Sequence, residues 1–231
     1  MKNSKIDVIA FDADDTLWVN EPHYQACEEN FCDILSEFAP EVEIRKELIK
    51  TDIANVDLYG YGAKGFMLSM IETAIRITNS KVPNEVISKI IAMGHELLNQ
   101  PVELLEGVKE TLKALKPFYR LVLATKGDLL DQQRKLMKSG LEEYFSHIEI
   151  MSNKEIDNYV QLLINVNVSP ERFVMVGNSV KSDILPVIKI GAWAVHIPYS
   201  VTWEHEKVEI IENHKKIHII NNLTELIYLL R

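Results

Sequence analysis

Ile6-Asp7-Val8-Ile9-Ala10-Phe11-Asp12-Ala13-Asp14-Asp15-Thr16-Leu17 begins as an apolar run and ends in three carboxylates and a threonine. The apolar half predicts a buried parallel strand whose end delivers Asp12 and Asp14 to one mouth of a sheet. Negative charge is costly there, because neighbouring carboxylates raise each other's pKa unless a cation or hydrogen-bond donors hold them. The stretch therefore predicts a metal-assisted site at the carboxyl end of the first strand, completed by a metal or a partner lysine.

Outward from this strand the pattern changes twice. From about Glu21 to about Asn99 the chain reads helical, with Phe31, Ile34, Leu35 and Phe38 at helical spacing and Pro40 ending that stretch. Residues 57–66, with Gly60, Gly62 and Gly65 among aromatics, interrupt the period, which resumes over Met67 to Thr78 and Pro83 to Asn99. After Pro101 helices and strands alternate. Helices are predicted near 108–115, 129–139, 156–165 and 184–190, and strands over 120–125, 146–151, 173–177 and 193–197. Such alternation implies crossovers and a parallel sheet. The expected fold is α/β: a Rossmann-like parallel sheet core with helices on both faces (1–18 and 101–231) and an all-helical insertion (19–100).

Composition bounds the function. The chain has 231 residues, 47% hydrophobic and 26% charged, an ordinary globular balance. Its 25 Lys+Arg against 34 Asp+Glu give a net charge of −9, which argues against nucleic acid or an anionic membrane as partner. Met1-Lys2-Asn3-Ser4-Lys5 leads directly into the strand without an apolar leader, and no run is long enough to span a bilayer, so a cytoplasmic protein is expected. Cys27 and Cys32 lie five apart on a predicted helix, a poor spacing for a disulfide, and read as buried structural thiols.

In open parallel sheets ligands bind outside the carboxyl ends of the strands. The strand ends here read Asp12-Ala13-Asp14-Asp15-Thr16, Ala124-Thr125-Lys126-Gly127-Asp128, Ser152-Asn153-Lys154 and Gly177-Asn178-Ser179-Val180-Lys181-Ser182-Asp183. A nucleophilic carboxylate, a hydroxyl, an ammonium and further oxygen ligands are what phosphoryl transfer needs.

In these motifs, their order and the position of the helical insertion, the chain resembles the haloacid dehalogenase-like hydrolase superfamily, in its phosphatase branch with a helical cap. The resemblance implies Asp12 as the nucleophile that becomes an aspartyl-phosphate and Asp14 as the acid and base. It implies Thr125 and Lys154 on the phosphoryl group; Lys126, closer to Thr125 in sequence, is the rival of Lys154 and is counted with them as a phosphate-binding candidate. A Mg2+ on Asp12, the Asp14 carbonyl and an oxygen from Asn178 or Asp183 completes the implied site, and the partner is a small phosphorylated metabolite. One departure stands out. Most relatives carry Gly-Asp where this chain has Gly177-Asn178, and an amide oxygen attracts a hard cation less than a carboxylate does.

Other features keep two readings. The Tyr59–Phe66 segment is either a helix-to-helix turn or a substrate-selecting loop using Tyr61 and Lys64. His23 and Tyr24 either touch substrate or fix the joint. His196 reads as a packed core or edge residue, Asp15 as a solvated or turn-stabilising neighbour, and Asp7 as facing an edge or a partner. Trp203 and His205 fall in a loop on the side of the site, and neither receives a role. A dehalogenase would use an aspartate nucleophile but needs no leaving-group acid, so Asp14 argues against it. A noncatalytic phosphate or metabolite sensor draws only on Asn178. Oligomeric state is not readable.

Overall fold

The structure, a computed structural model, describes residues 5–201, 203, 206, 208 and 214–230. The chain divides into two compact units, Asn20–Pro101 and the remainder, with joints at Val19 and Val102.

The first unit is helical: α1 (Glu21–Leu35), α2 (Glu41–Tyr59), α3 (Ala63–Ile77) and α4 (Asn84–Asn99). Its core is its own, with Phe31, Leu35, Ile44, Leu48, Met70, Ala74 and Ile90 buried together. Gly94 lets α4 approach α3, since a Cβ there would lie 2.5 Å from Met67 Sδ. Gly60 and Gly62, at φ +73° and +109°, supply the turn between α2 and α3 that L side chains resist. Phe66 is buried and packs against Tyr24 with ring centroids 5.4 Å apart and planes tilted by 57°, so Tyr24 serves this core. Cys27 and Cys32 are free and buried; burial pushes their thiols up to about 12 and about 11.

The second unit carries a six-stranded sheet in the order β3-β2-β1-β4-β5-β6, every neighbouring pair parallel. The strands are β1 (Val8–Phe11), β2 (Arg120–Lys126), β3 (His147–Met151), β4 (Phe173–Gly177), β5 (Trp193–His196) and β6 (Ile217–Ile219). Successive side chains alternate between faces. Ile9, Phe11, Leu121, Leu123, Val174 and Val176 therefore join one apolar cluster with α5 (Val108–Leu115), α6 (Leu129–Ser139) and α9 (Glu225–Leu230). Val8, Ala10, Val122, Ala124, Phe173 and Met175 join another with α7 (Ile156–Asn165) and α8 (Leu185–Lys189). Both faces are covered, which is why the central strands read as near-continuous apolar runs.

The strand order reverses between β1 and β4, so the loops leaving these two strands flank the crevice where such sheets bind ligands. There the Asp12 amide donates to the Val176 carbonyl at 2.9 Å. Asp7 sits one residue before β1, at the opposite end, and pairs with Arg172.

Several elements differ from the sequence expectation. The break expected over 57–66 narrows to residues 60–62, because α2 continues to Tyr59 and α3 begins at Ala63. The predicted 184–190 helix is preceded by a π-turn over Val180–Ile184, capped where Ser179 Oγ accepts from the Ser182 amide at 3.0 Å. β6 and α9 have no counterpart in the sequence reading: a three-residue strand and a six-residue helix are too short to show a period. Among the described residues no helix is long and apolar enough to cross a membrane.

Candidate active site

Two strand ends and two loops converge on Asp12. Lys154, just past β3 and 3% exposed, donates its ammonium to Asp12 Oδ1 and, at 2.7 Å, to Asp183 Oδ1. The Thr16 hydroxyl lies 3.2 Å from both Asp12 Oδ2 and Asn178 Oδ1 and accepts from the Asn178 amide at 3.1 Å. With one proton to give, Thr16 bonds one of those oxygens at a time, so a carboxylate oxygen of β1 and an amide oxygen from the β4 loop share one small volume.

Asp183 is fully buried and its two oxygens are engaged. Lys154 donates to Oδ1, with the Tyr159 hydroxyl, which donates to the Ser182 carbonyl at 2.9 Å, lying 3.5 Å from it; the Ser179 amide donates to Oδ2 at 3.0 Å. It crosses directly over Gly177, where a Cβ would lie 2.2 Å from Asp183 Oδ2. The fourth-strand side-chain oxygen that faces Asp12 and Thr16 is therefore that of Asn178.

Asp14 sits in a second cluster. Its Oδ1 accepts from Trp18 Nε1 at 2.7 Å and from Lys135 Nζ at 2.9 Å, and its Oδ2 from Gln132 Nε2 at 2.8 Å. The Gln132 amide also reaches Thr125 Oγ1 at 2.9 Å and the Lys126 carbonyl at 3.0 Å. Because a carboxylate and a carbonyl can only accept, the nitrogen of Gln132 must face them. Gln132 and Lys135 stand three apart on α6, on one face of the helix, whose first turn is capped where the Asp128 carboxylate accepts from the Asp131 amide at 3.0 Å.

Burial pushes the Asp12 carboxyl up, Asp183 adds to the push, and Lys154 offsets only part, leaving it at about 7. Burial also disfavours the Lys154 ammonium, but Asp12 and Asp183 outweigh it and hold the lysine above its usual range. For Asp14, burial acts upward but Lys135 outweighs it, with Trp18 and Gln132 helping, so the carboxyl stays below its ordinary value.

Of the residues expected from sequence, Asp12, Lys154, Asp183 and Asn178 thus meet around Thr16 and Lys154, while Asp14 and Thr125 meet around Gln132. Lys126 points its ammonium to Glu206 and, at 3.0 Å, to Ser182 Oγ. Asp15 is buried in a left-handed turn at φ +59° rather than solvated. Burial lowers the His196 imidazole; its Nε2 bonds the Asn178 carbonyl at 2.9 Å, bracing the β4 loop. Tyr61 and Lys64 belong to the helical unit, between Gly60 and the first turn of α3. His205 lies outside the described residues. Sequence reasoning assigned no role to Thr16, Trp18, Gln132, Lys135, Tyr159 or Glu206. Thr16 stood in the opening motif, and the three-residue spacing of Gln132 and Lys135 beyond the second motif was a usable signal.

Residues 6–191 match the haloacid dehalogenase-like hydrolase family, and the chain belongs to it. A haloacid dehalogenase-like family hydrolase from Xanthomonas campestris, known from its crystal structure, is 35% identical with a TM-score of 0.89, over 99% of this chain and 96% of that one. A glyceraldehyde 3-phosphate phosphatase from Methanothermobacter thermautotrophicus is 27% identical over 115 residues, 47% of this chain and 50% of that protein. One of the same name from Pyrococcus furiosus is 25% identical over 130 residues, 54% of this chain and 53% of that protein. The chain spans about half the length of these curated relatives.

Proposed function

We propose that this protein is a Mg2+-dependent phosphatase that hydrolyses a small phosphorylated metabolite through an aspartyl-phosphate on Asp12. The observation that carries this reading is the set of buried Asp12, Lys154 and Thr16 with half-buried Asn178 at the point where the strand order reverses. Family membership and the phosphatase names of the partly matching relatives support it.

A carboxylate of Asp12 attacks phosphorus, forming the acyl phosphate and breaking the bond to the ester oxygen. Lys154 and the Thr125 hydroxyl hold the phosphoryl oxygens and keep the anionic substrate beside an anionic nucleophile. Asp14 gives the leaving oxygen its proton and then takes one from the water that hydrolyses the intermediate. In the resting site Lys135 holds Asp14 as a carboxylate, the form needed for the second step. For the first step Asp14 must take up a proton from solvent, which requires that its pairing with Lys135 be broken.

The residues fit a hard cation. Asp12 Oδ2 and Asn178 Oδ1 both lie 3.2 Å from the Thr16 hydroxyl, so the ligands would be the Asp12 carboxylate, the Asp14 carbonyl and Asn178 Oδ1, oxygens of the kind Mg2+ prefers. Burial and the neighbouring Asp183 carboxylate, which raise Asp12, are what such an ion would offset. When bound, Mg2+ would shield Asp12 and polarise the phosphoryl group.

Asp12→Asn should reduce phosphate release from an aryl phosphate by at least ~10⁴-fold, as loss of a nucleophile does, with an unchanged circular dichroism spectrum. Turnover within tenfold of wild type would exclude Asp12. We assign substrate choice to Tyr61 and Lys64. Tyr61→Ala and Lys64→Met should reorder a panel of sugar phosphates, nucleotides and phosphorylated acids by KM, and an unchanged ranking would remove them from that role.

A further inference from the structure

Glu206 lies outside the four strand-end motifs, yet its carboxylate is 9% exposed and joins two of them. Its Oε1 accepts from Lys126, at the end of β2. Its Oε2 accepts from Ser179 Oγ and, at 2.7 Å, from Ser182 Oγ, both from the loop after β4. The Glu206 amide is itself fixed, donating to the Trp203 carbonyl at 2.9 Å.

The direction of every proton in this cluster follows from its partners. Ser179 Oγ accepts from the Ser182 amide at 3.0 Å, so its own proton goes to Glu206. Ser182 Oγ accepts from Lys126 at 3.0 Å, so its proton goes to Glu206 as well. The turn held in this way is the one that aims Asp183. The Ser179 amide donates to Asp183 Oδ2 at 3.0 Å, the Asp183 amide donates to the Ser179 carbonyl at 2.8 Å, and Asp183 Oδ1 receives Lys154. The Lys126 and serine bonds outweigh burial and hold the Glu206 carboxyl down at about 2.

We propose that Glu206 is a positioning residue: it ties Lys126 to the Ser179–Asp183 turn and so sets Asp183 against Lys154 beside Asp12. The same pairing makes the Lys126 ammonium a structural cation rather than a phosphate ligand. This rests on the phosphatase reading for its kinetic consequence but not for its structural one.

The test uses the full chain with Glu206→Ala, Lys126→Met, Glu206→Gln and the Lys126→Met/Glu206→Gln double variant, assayed on an aryl phosphate with Mg2+ and each crystallised. Glu206→Ala should lower kcat roughly 10- to 100-fold with KM changed less than about threefold, the signature of lost positioning rather than lost binding. The double variant, in which the amide oxygen still serves both serines and no ammonium opposes the amide nitrogen, should turn over at least as fast as either single variant, a non-additivity expected of residues in one network. Additive losses, or a raised KM for Lys126→Met alone, would assign Lys126 to the phosphate and overturn the proposal. In the Glu206→Ala crystal the Asp183–Lys154 contact should be lost or lengthened, and an unchanged turn would equally overturn it. If wild-type protein hydrolyses no ester, the phosphatase reading fails, and the crystal comparison still decides the role of Glu206.

Discussion

Gly177 shows how little space the site leaves at a single residue. Its missing side chain is where the Asp183 carboxylate passes, 2.2 Å from an added Cβ, and that carboxylate cannot retreat without giving up Lys154 or the Ser179 amide. Gly177→Ala should therefore displace Asp183 and destabilise the fold by about 1–3 kcal/mol, the usual cost of overpacking a filled interior. Turnover should fall at least ~10-fold, because a misplacement near 1 Å is enough to lose that much. Thermal melting together with aryl-phosphatase assays would check both, and wild-type values for both would show that the loop yields freely. Asn178, by contrast, sits where an amide is serviceable. Its main-chain N–H and its side-chain oxygen both engage Thr16, so replacing a carboxylate by an amide there keeps the geometry and gives up only charge.

At the scale of elements, α6 contributes most to the site beyond the strand ends. One amide, Gln132, spans Asp14, Thr125 and the Lys126 carbonyl, and Lys135 one turn later pairs with Asp14. Gln132→Leu keeps the volume but removes the donor, leaving Asp14 and Thr125 no longer joined through it. It should lower kcat roughly 10-fold while melting shifts by only a few degrees, consistent with a positioning hydrogen bond worth about 1–2 kcal/mol. Equal loss of activity for Gln132→Ala and Gln132→Leu, without a change in melting, would strengthen that assignment; wild-type kcat in both would remove it. The helix itself was legible over 129–139, and so were the strand ends, because four motifs recur in register after successive strands where a lone Asp-x-Asp would be an ordinary loop. What Gln132 and Lys135 meet was not legible, since periodicity gives the face of a helix but not the loop opposite. Glu206 was hidden for a related reason: it follows β5 outside every predicted strand and helix, and its partners come from residues 126, 179 and 182, a proximity that only the folded sheet creates.

At the scale of the whole molecule, two units with separate cores spread the ionisable burden unequally. In the sheet unit three of the buried carboxylates lean on lysines: Asp12 and Asp183 share Lys154, and Glu206 has Lys126. In the helical unit Asp52, on α2, is set by burial, Ser69 and Glu28 instead. Burial pushes its carboxyl up to about 6, Glu28 adds to the push, and a Ser69 hydrogen bond opposes both. A folded-state value above the unfolded one of 3.8 means the native state binds the proton more tightly. The stabilising contribution is therefore fully present below about pH 4 and is lost as pH rises through about 6. Asp52→Asn removes the charge without removing the shape. At pH 8 it should stabilise the protein by about 1–2 kcal/mol, below the roughly 3 kcal/mol that a full two-unit shift would give, because the side chain retains some solvent. At pH 4 most of the gain should be gone, since wild-type Asp52 is then protonated in the native state and only about half ionised in the unfolded one. Urea unfolding of wild type and variant at the two pH values, followed by helical circular dichroism, reads that difference directly. A gain equal at both pH values would mean that the charge of Asp52 is not what its burial costs.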